Sequence, residues 1–322
     1  MIVLGVETSC DETSVAIVKY GIQVLANVVF SQIAIHEEFG GVVPEVASRH
    51  HVGKLTFVFE QALQQAQLNA SDIDLVAVTS EPGLVGSLLV GIISAEAFAL
   101  ANNIPIIYVN HLTGHIYANY LESDFYFPII ALVVSGGHTE LVLMRDHYDF
   151  EILGKTMDDA VGEAYDKVGR VMGLPYPGGK YVDQLALQGT PRYQLPLVYL
   201  DKDSYNFSFS GLKSAVINLI NQSKMKNEEL NLADLAASFQ TVATTVLVDK
   251  TIQAAQEYNA KHIIVAGGVA ANRGLRNLMK EKVSQLPGVV LTFPSFEYCT
   301  DNAAMIAVSG YFKYLKNQTR NL

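Results

Sequence analysis

The spacing of hydrophobic and polar residues changes along the chain, and each change predicts a secondary-structure element. Short apolar runs separated by polar turns open the chain as a β-meander, and segments of strand and helix spacing then alternate. The predicted elements are strands at 2–7, 15–18 and 24–30, a helix at 44–67, a strand at 75–79, a helix at 84–102 and a strand at 106–109. Such an alternation is typical of an α/β protein with a largely parallel sheet.

The same succession starts again near residue 129. The predicted elements are strands at 129–134, 140–144, 150–155, 262–266 and 289–292, and helices at 160–172, 180–188, 212–222, 232–257, 271–283 and 302–316. One β-β-β-α-β-α-β unit is therefore used twice, with extra helices inserted in the second copy. We expect two similar lobes around a cleft, the first formed by residues 1–108 with 302–322 and the second by residues 109–301.

The composition supports a globular protein with a large core. Of 322 residues, 50% are hydrophobic and only 17% are charged. The length suits two lobes better than one core, and no segment has the composition of a disordered chain. The apolar run at 84–101 is interrupted by glycines, serines and Glu96, so we expect a buried helix there rather than a membrane span.

Charge and cysteine content restrict the partners and the compartment. The formal charge of −10 disfavours a nucleic-acid footprint over the whole surface, although a local basic patch is compatible with it. Cys10 and Cys299 are too few for a disulfide framework and fit a reducing cytosol. No basic segment precedes the first apolar stretch, so we expect a cytoplasmic protein without a signal peptide.

His111 and His115 form a candidate metal pair directly after the predicted strand at 106–109. Four residues apart on a helix, the two imidazoles stand on one face and can share a metal ion. A pair of half-buried helix histidines bonded to backbone is the alternative interpretation. The residues between them lack the glutamate that a zincin-type metalloprotease needs as its base.

Glycine-rich turns are the second candidate site. Ser135-Gly136-Gly137, Tyr176-Pro177-Gly178-Gly179 and Ala266-Gly267-Gly268 leave backbone amides open to a phosphate, and the last leads into a helix. Each turn alone is an ordinary tight turn. Together, in a duplicated α/β framework, they favour a nucleotide site. The hydroxyl-rich, acidic turn at 8–14 could serve the same purpose or be a plain hairpin turn.

Motifs along nearly the whole chain resemble the TsaD family of tRNA threonylcarbamoyladenosine transferases, and they occur in that family's order. The motifs are Glu7-Thr8-Ser9-Cys10-Asp11-Glu12-Thr13, Gly40-Gly41-Val42-Val43-Pro44-Glu45, Ala47-Ser48-Arg49, the histidine pair, Val134-Ser135-Gly136-Gly137-His138-Thr139, Gly162-Glu163-Ala164-Tyr165-Asp166-Lys167, Phe207-Ser208-Phe209-Ser210-Gly211-Leu212-Lys213, Gly267-Gly268-Val269-Ala270-Ala271-Asn272-Arg273 and Cys299-Thr300-Asp301-Asn302. The resemblance implies the actin-like ATPase (ASKHA) fold, with two ribonuclease-H-like lobes around a nucleotide cleft. It also implies transfer of threonylcarbamoyl from threonylcarbamoyl-AMP to N6 of the adenosine 3′ of the anticodon (A37), in tRNAs that read codons beginning with A.

The resemblance also implies the site residues. His111, His115 and Asp301 match the metal ligands, for one divalent ion with Fe(2+) favoured and Zn(2+) as the alternative. The positions that match contacts to the adenine nucleotide are Val133, Val134, Ser135, Gly136, Gly137, Asp166, Gly179, Asp183 and Asn272. Asp166 and Asp183 suit ribose hydroxyls, because carboxylates accept hydrogen bonds. Asp11 and Glu12 are the candidate catalytic carboxylates, as proton acceptor or orienting group; hydrogen bonding within the first turn is their alternative role.

The expected partners follow from the resemblance and from a mismatch of charge. The substrate tRNA is a polyanion, whereas this acidic chain offers only a limited set of basic residues, namely Arg49, Lys54, Arg273, Arg276 and Lys280. The helices at 44–67 and 84–102 carry more apolar surface than one sheet contact uses, with Phe57 and Phe59 as candidate docking residues; burial of both in the core is the alternative. The resemblance implies a TsaB-like paralogue at this lobe, a TsaE-like ATPase and a TsaC-like supplier of the adenylate. The rival functions are a small-molecule kinase or ATPase of the same fold and a metalloprotease.

Overall fold

The computed structural model describes residues 1–197 and 204–320, which form two compact units. Unit 1 consists of Met1–Asp124 and Pro294–Leu322, and unit 2 consists of Phe125–Phe293. Unit 1 thus contains the histidine pair as well as Asp301. The predicted division into two ribonuclease-H-like lobes, 1–108 with 302–322 and 109–301, stays a prediction.

The elements follow the predicted order closely. The strands are β1 Ile2–Glu7, β2 Glu12–Lys19, β3 Gln23–Ser31, β4 Leu75–Glu81, β5 Ile106–Asn110, β6 Ile129–Val134, β7 Thr139–Asp146, β8 Asp149–Lys155, β9 His262–Ala266 and β10 Val290–Thr292. The helices are α1 Ile33–Glu37, α2 Pro44–Ala66, α3 Val85–Asn102, α4 His111–Ala118, α5 Val161–Val171, α6 Gly178–Ala186, α7 Ser210–Lys226, α8 Leu232–Glu257, α9 Arg273–Val283, α10 Phe296–Cys299 and α11 Ala303–Arg320. Short 3-10 turns occur at Ala70–Asp72, Asn119–Leu121 and Gly268–Ala271.

Each unit contains one five-stranded mixed sheet, and the two sheets have the same topology. In unit 1 the order is β3-β2-β1-β4-β5, with β1, β2 and β3 antiparallel and β4 and β5 parallel to β1. In unit 2 the order is β10-β9-β6-β7-β8, with β6, β7 and β8 antiparallel and β9 and β10 parallel to β6. The predicted duplication of a meander followed by parallel strands is therefore confirmed.

One face of the unit 1 sheet packs on α2. Leu4 and Val6 of β1 belong to a buried cluster that also contains Leu55, Val58 and Phe59 of α2. Successive side chains of a strand point to opposite faces, so Gly5 faces the other side of the sheet.

That other face carries α11. A Cβ atom added to Gly5 would lie 2.3 Å from the carbonyl oxygen of Ala303, and one added to Gly310 would lie 2.4 Å from the Cβ of Ala77. Both distances are far below van der Waals contact, so the helix approaches the strands this closely only because glycine has no side chain. The start of α11 is thereby held against the middle of β1.

One prediction made from apolar patterning was wrong. The run at 84–101 was expected to be a buried helix, yet only one side of α3 is buried, through Ser87, Leu88, Gly91, Ala95 and Ala99. Helical spacing of apolar residues identifies a helix, but it cannot tell how many sides of that helix the rest of the chain covers.

By length and composition alone, α3 could cross a membrane, and it is the one helix of the described residues that meets this test. Of its residues, 28% are buried. A single such helix is weak evidence for a membrane span.

Candidate active site

The histidine pair begins a short helix at the carboxyl end of a parallel strand. Asn110, the last residue of β5, caps α4, because its side-chain oxygen accepts hydrogen bonds from the backbone amides of Leu112 at 3.0 Å and Thr113 at 3.2 Å. Asparagine is a preferred residue at this position because its side chain satisfies amides that have no partner within the helix. The cap determines where α4 starts and therefore which face His111 and His115 share.

Asp301 completes a cluster of three possible metal ligands within unit 1. Its Oδ1 lies 3.4 Å from Nε2 of His111 and 3.2 Å from Nε2 of His115, and one ligand atom from each residue falls within 4.8 Å of the others. Asp301 stands just before the buried Asn302, whose Oδ1 accepts from the amide of Met305 at 3.1 Å near the start of α11. The expectation that the last helix returns to the histidines is met.

Gly114 allows α4 to approach α11. A Cβ atom at this position would lie 2.7 Å from Cδ1 of Ile306. A larger residue between the two histidines would have to displace the end of the Ile306 side chain.

The side chains present fit a divalent metal ion. His115 is completely buried, and its Nδ1 has no hydrogen-bond partner among the described residues, while its Nε2 lies 3.2 Å from Oδ1 of Asp301 without forming a hydrogen bond of good geometry. Buried imidazole nitrogens without well-formed hydrogen bonds are costly unless something else binds them. Two imidazoles and one carboxylate are a donor set that both zinc and iron accept.

The charges of the cluster favour a cation. Burial acts to lower the pKa of His111, but Asp301 and Glu7 outweigh it and raise that pKa well above its usual value. Burial acts to raise the pKa of Asp301, yet the two histidines hold it far below its usual value. At His115 burial dominates and lowers the pKa. The same negative groups that stabilise a proton on His111 would stabilise a divalent cation.

Glu7 lies behind His111 and was assigned no role from the sequence. Its Oε2 is 3.1 Å from Nδ1 of His111, and the side chain is completely buried at the end of β1. Ser9 Oγ lies at the same distance, 3.1 Å, from this nitrogen. The sequence did contain a signal for Glu7, because it is a charged residue at the end of an otherwise apolar strand.

The candidate catalytic carboxylates Asp11 and Glu12 occupy the first turn of unit 1 and the start of β2. Both are nearly buried, each with 8% of its surface exposed, and their carboxyl groups share a hydrogen bond. Burial, followed by the charges of Asp301 and Asp11, holds the pKa of Glu12 well above its usual value. Ser31 donates a hydrogen bond to Oε1 of Glu12 at 3.1 Å. A carboxyl group of raised pKa suits proton transfer near neutral pH.

The candidate nucleotide turn follows β6 in unit 2. Val133 and Val134 are buried in the strand, and the turn is closed by a hydrogen bond from the Ser135 amide to the carbonyl oxygen of His138 at 2.8 Å. Gly136 and Gly137 are exposed, and a Cβ atom on either would meet no described atom within 4 Å. The space beside these two backbone segments is open, as contact with a phosphate requires.

Close backbone packing supports the turn. A Cβ atom on Gly162 would lie 2.4 Å from the carbonyl oxygen of Ser135, so the start of α5 is packed directly under the turn. Gly267 has φ +90°, and its Cβ atom would lie 2.4 Å from the carbonyl oxygen of Val134. The second glycine-rich motif therefore lies beside the first.

Hydrogen bonds connect the remaining candidate nucleotide residues to the same region of unit 2. Oδ1 of Asp166, on α5, accepts from the amide of Gly179 at 3.0 Å, and Oδ1 of Asp183 accepts from the amide of Arg273 at 3.1 Å. Burial raises the pKa of both carboxyl groups, although these hydrogen bonds oppose the shift. The carboxylates thus lie where α5, α6 and α9 meet, and further hydrogen bonds reach Asp166 from Gly178 and Asp183 from Gln240 and Gly274.

Asn272 is held by a polar network that the sequence did not reveal. Its Oδ1 caps α9 by accepting from the Leu275 amide at 2.8 Å. Its Nδ2 donates to Oε1 of Gln240 at 2.8 Å and to the hydroxyl of Tyr165 at 3.4 Å. These bonds use both amide protons, so one lone pair of Oδ1 is what Asn272 has left to offer a nucleotide.

Solved structures define the class to which this fold belongs. The crystal structure of the Acidaminococcus fermentans (R)-2-hydroxyglutaryl-CoA dehydratase component A matches with a TM-score of 0.58 at 15% identity, over 98% of this chain and 99% of that chain. The ROK hexokinase from Thermus thermophilus matches with a TM-score of 0.50 at 12% identity, over 98% of this chain and 100% of that chain. At such identities the likeness shows the fold alone, which is the actin-like ATPase fold.

Sequence relatives define the family. The model of TsaD: tRNA N6-adenosine threonylcarbamoyltransferase matches residues 23–308. The tRNA N6-adenosine threonylcarbamoyltransferase of Geobacillus kaustophilus (strain HTA426) is 55% identical over 320 residues, 99% of this chain and 94% of that protein. That of Bacillus subtilis (strain 168) is 56% identical over 316 residues, 98% of this chain and 91% of that protein. The chain belongs to the TsaD family, and its reaction is transfer of the threonylcarbamoyl group to adenosine 37 of tRNA.

The metal cluster generates the first prediction. Asp301→Ala should reduce metal affinity by about 100-fold or more, because loss of a ligand costs at least as much as loss of an outer partner. Metal content after dialysis, measured by elemental analysis, checks this. Glu297→Ala, which changes an exposed carboxylate on the neighbouring helix α10, is the control and should keep full metal content. Equal metal in both variants would contradict the assignment.

The open turn generates the second prediction. Gly137→Leu should abolish binding of adenine nucleotide, because the side chain would fill the space through which a phosphate reaches the backbone amides. The protein itself leaves this space open, so the thermal unfolding midpoint should stay near that of the wild type. Calorimetric titration with AMP measures the affinity. An unchanged Kd in a folded variant would remove the turn from the site.

Proposed function

We propose that the enzyme takes threonylcarbamoyl-AMP as donor, modifies tRNAs that read codons beginning with A, and releases AMP with the help of a divalent metal ion. The observation that carries this proposal is the coexistence in unit 1 of the buried His111-His115-Asp301 cluster and the hydrogen-bonded carboxyl pair Asp11 and Glu12. The first provides cation ligands and the second provides a proton acceptor.

The chemistry determines what the protein has to supply. The donor is a mixed anhydride and the acceptor is a weakly nucleophilic exocyclic amine, so rate enhancement comes from positioning, polarisation and proton removal. A divalent ion held by His111, His115 and Asp301, with Fe(2+) favoured and Zn(2+) as the alternative, supplies Lewis acidity and a template for substrate oxygens when bound.

The residues of unit 2 would hold the adenylate. Amides of the exposed Gly136-Gly137 segment suit the phosphate, and the carboxyl oxygens of Asp166 and Asp183, which can accept more than one hydrogen bond each, suit the ribose hydroxyls. Val133, Val134 and Ser135 shape the turn, while Gly179 and Asn272 are fixed by the hydrogen bonds described above. The nucleotide would thus be bound mainly by backbone and by carboxylate acceptors.

Glu12 would accept the proton that the adenosine amine loses on attack. Its raised pKa and its hydrogen bond with Asp11 support this role, because the pair can take up a proton and share it. Asp11 would hold Glu12 in position and spread the charge.

The carboxyl pair generates the third prediction. Glu12→Gln should lower the rate of tRNA modification by about 100-fold or more, the usual contribution of a general base. The assay combines the chain, its partner proteins, threonylcarbamoyl-AMP and tRNA, and detects threonylcarbamoyladenosine by mass spectrometry. Ser31→Ala, which removes a hydrogen bond to Glu12 but keeps both carboxyl groups, should have a much smaller effect. A wild-type rate for Glu12→Gln would exclude it as the base.

The exposed faces of α2 and α3 would bind a TsaB-like paralogue. Apolar side chains lie exposed at Val52 and Phe57 on α2 and at Val85, Leu89 and Ile93 on α3. Phe57 is 66% exposed and lines a surface pocket with Phe30 and Lys54. An apolar surface of this kind suits the helices of another protein, and we propose this use for α3 rather than membrane insertion.

Further partners follow from family membership and charge. The basic residues lie on two helices, Arg49 and Lys54 on α2 and Arg273, Arg276 and Lys280 on α9. Arg276 and Lys280 both lie over the ring of Phe293. With so few basic residues on an acidic chain, we expect the isolated chain to bind tRNA weakly. It would then require the TsaB-like paralogue and a TsaE-like ATPase, with a TsaC-like enzyme making the adenylate, all in the cytoplasm.

The fourth prediction separates the two phenylalanines. Phe57→Asp should abolish binding of the TsaB-like paralogue without lowering the unfolding midpoint, because the side chain is exposed. Phe59 is 8% exposed and stacks on Phe98 with 5.3 Å between ring centroids, so it is core and not a docking residue. Phe59→Ala should therefore cost about 3 kcal/mol of stability. Calorimetry and thermal unfolding measure the two effects, and wild-type partner affinity in Phe57→Asp would refute the docking surface.

A further inference from the structure

Glu7 is a completely buried carboxylate whose position is held by three polar contacts. The backbone amide of Ser9 donates to Oε1 at 2.6 Å, and the hydroxyl of Thr79 donates to Oε2 at 2.5 Å. Oε2 is also 3.1 Å from Nδ1 of His111. Because β1 and β4 are adjacent parallel strands, Glu7 and Thr79 end up side by side at their carboxyl ends. The carboxylate is therefore anchored by the sheet and not by the helix that carries the histidines.

We propose that Glu7 is the positioning residue of the metal centre: it directs Nε2 of His111 toward the ion and supplies the second negative charge that a buried divalent cation needs. This inference rests on the proposed metal site. Glu7 itself would not touch the ion, since it contacts the opposite nitrogen of the ring.

The hydrogen bonds of Glu7 determine which ring nitrogen of His111 carries the proton in their contact. Both oxygens of Glu7 already accept hydrogen bonds, so the proton in its contact with His111 lies on Nδ1. Ser9 Oγ, also 3.1 Å from Nδ1, can accept the same proton. With Nδ1 protonated, Nε2 is the nitrogen that would offer its lone pair to a metal ion, and this is the atom that lies 3.4 Å from Oδ1 of Asp301. Metal-bound histidines characteristically donate their second N–H to a carboxylate in this way.

The two histidines differ in this respect. Nδ1 of His115 has no hydrogen-bond partner within residues 1–197 and 204–320. The orientation of His115 follows from packing in α4, whereas that of His111 depends on Glu7. Loss of Glu7 should thus affect one ligand and leave the other in place.

Charge balance gives Glu7 a second role. Asp301 and Glu7 contribute two negative charges around two neutral imidazoles, and a divalent cation brings the buried group to neutrality. A buried charge without compensation is strongly unfavourable, so the metal and Glu7 should stabilise each other.

The fifth prediction concerns Glu7→Gln, which keeps the shape of the side chain and removes its charge. The Kd for Zn²⁺, measured by competition with a chromophoric chelator, should rise by about 10–100-fold. In the Zn²⁺-loaded protein, the downfield proton resonance of the His111 Nδ1–H should move upfield in the variant. An unchanged Kd together with an unchanged resonance would overturn the inference.

Two further variants of this chain make the test specific to Glu7. Asp234→Asn neutralises a buried carboxylate of α8, whose Oδ1 accepts from the Thr190 amide at 2.7 Å, and should leave the Kd for Zn²⁺ unchanged. Thr79→Val keeps Glu7 but removes its hydroxyl anchor, and it should weaken Zn²⁺ binding several-fold. If Glu7→Gln does not fold, Thr79→Val decides the matter, and a wild-type Kd there would overturn the inference.

The wild-type titration separates this inference from the metal site on which it rests. If the wild type fails to bind Zn²⁺, Fe²⁺ or Co²⁺, the proposed site itself is wrong and the inference falls with it. If the wild type binds the ion and Glu7→Gln binds it equally well, only the role of Glu7 is wrong. A merely structural Glu7 would lower the unfolding midpoint of the metal-free chain and leave the Kd of the folded protein unchanged.

Discussion

The candidate metal centre depends on the close packing of α11 against β1 and α4. Gly5 lets the backbone at the start of α11 lie against β1, and Gly114 leaves room on α4 for the side chains of Ile306 and Met305 of α11. Together these two contacts bring Asp301, near the end of the chain, to within 3.4 Å of the histidine pair. A metal site of three ligands needs its atoms placed to a fraction of an ångström, and rigid contacts between backbone elements are the means of achieving this.

The same region of unit 1 concentrates negative charge. Glu7, Asp11 and Glu12 are nearly or completely buried, and Asp301 is only partly exposed. Burying carboxylates is costly unless they are hydrogen-bonded, protonated or paired with cations. Here Glu7 has three polar contacts, Glu12 shares a hydrogen bond with Asp11, and Asp301 faces imidazoles. The cost of burying a carboxylate is therefore offset by hydrogen bonds at Glu7 and Glu12 and by imidazoles at Asp301. The proposed mechanism, in which the protein binds a cation and removes a proton, uses both solutions.

The two copies of the duplicated unit carry different residues at corresponding turns. After β1 the turn carries hydroxyl and carboxyl groups, whereas after β6 it carries the exposed Gly136 and Gly137. Gly162 and Gly267 pack closely against the second turn and the strand that leads into it. The sheet order is the same in both units, so the two proposed roles rest on a few residues at the strand ends.

The sequence by itself determined the elements, their duplication and the family, because periodicity, turn residues and motif spacing are local properties. It even predicted the bounds of the long helix Leu232–Glu257. It also proposed His111, His115 and Asp301 together, although only the motif resemblance linked the third residue to the other two. Tertiary structure alone decided that Phe57 is exposed while Phe59 is core, that α3 is covered on one side only, and that Glu7 and Gln240 support candidate site residues. The physical reason is that periodic apolar residues identify one face of a helix or strand but do not reveal what covers that face. Contacts between distant strands and helices exist only once the chain has folded back on itself.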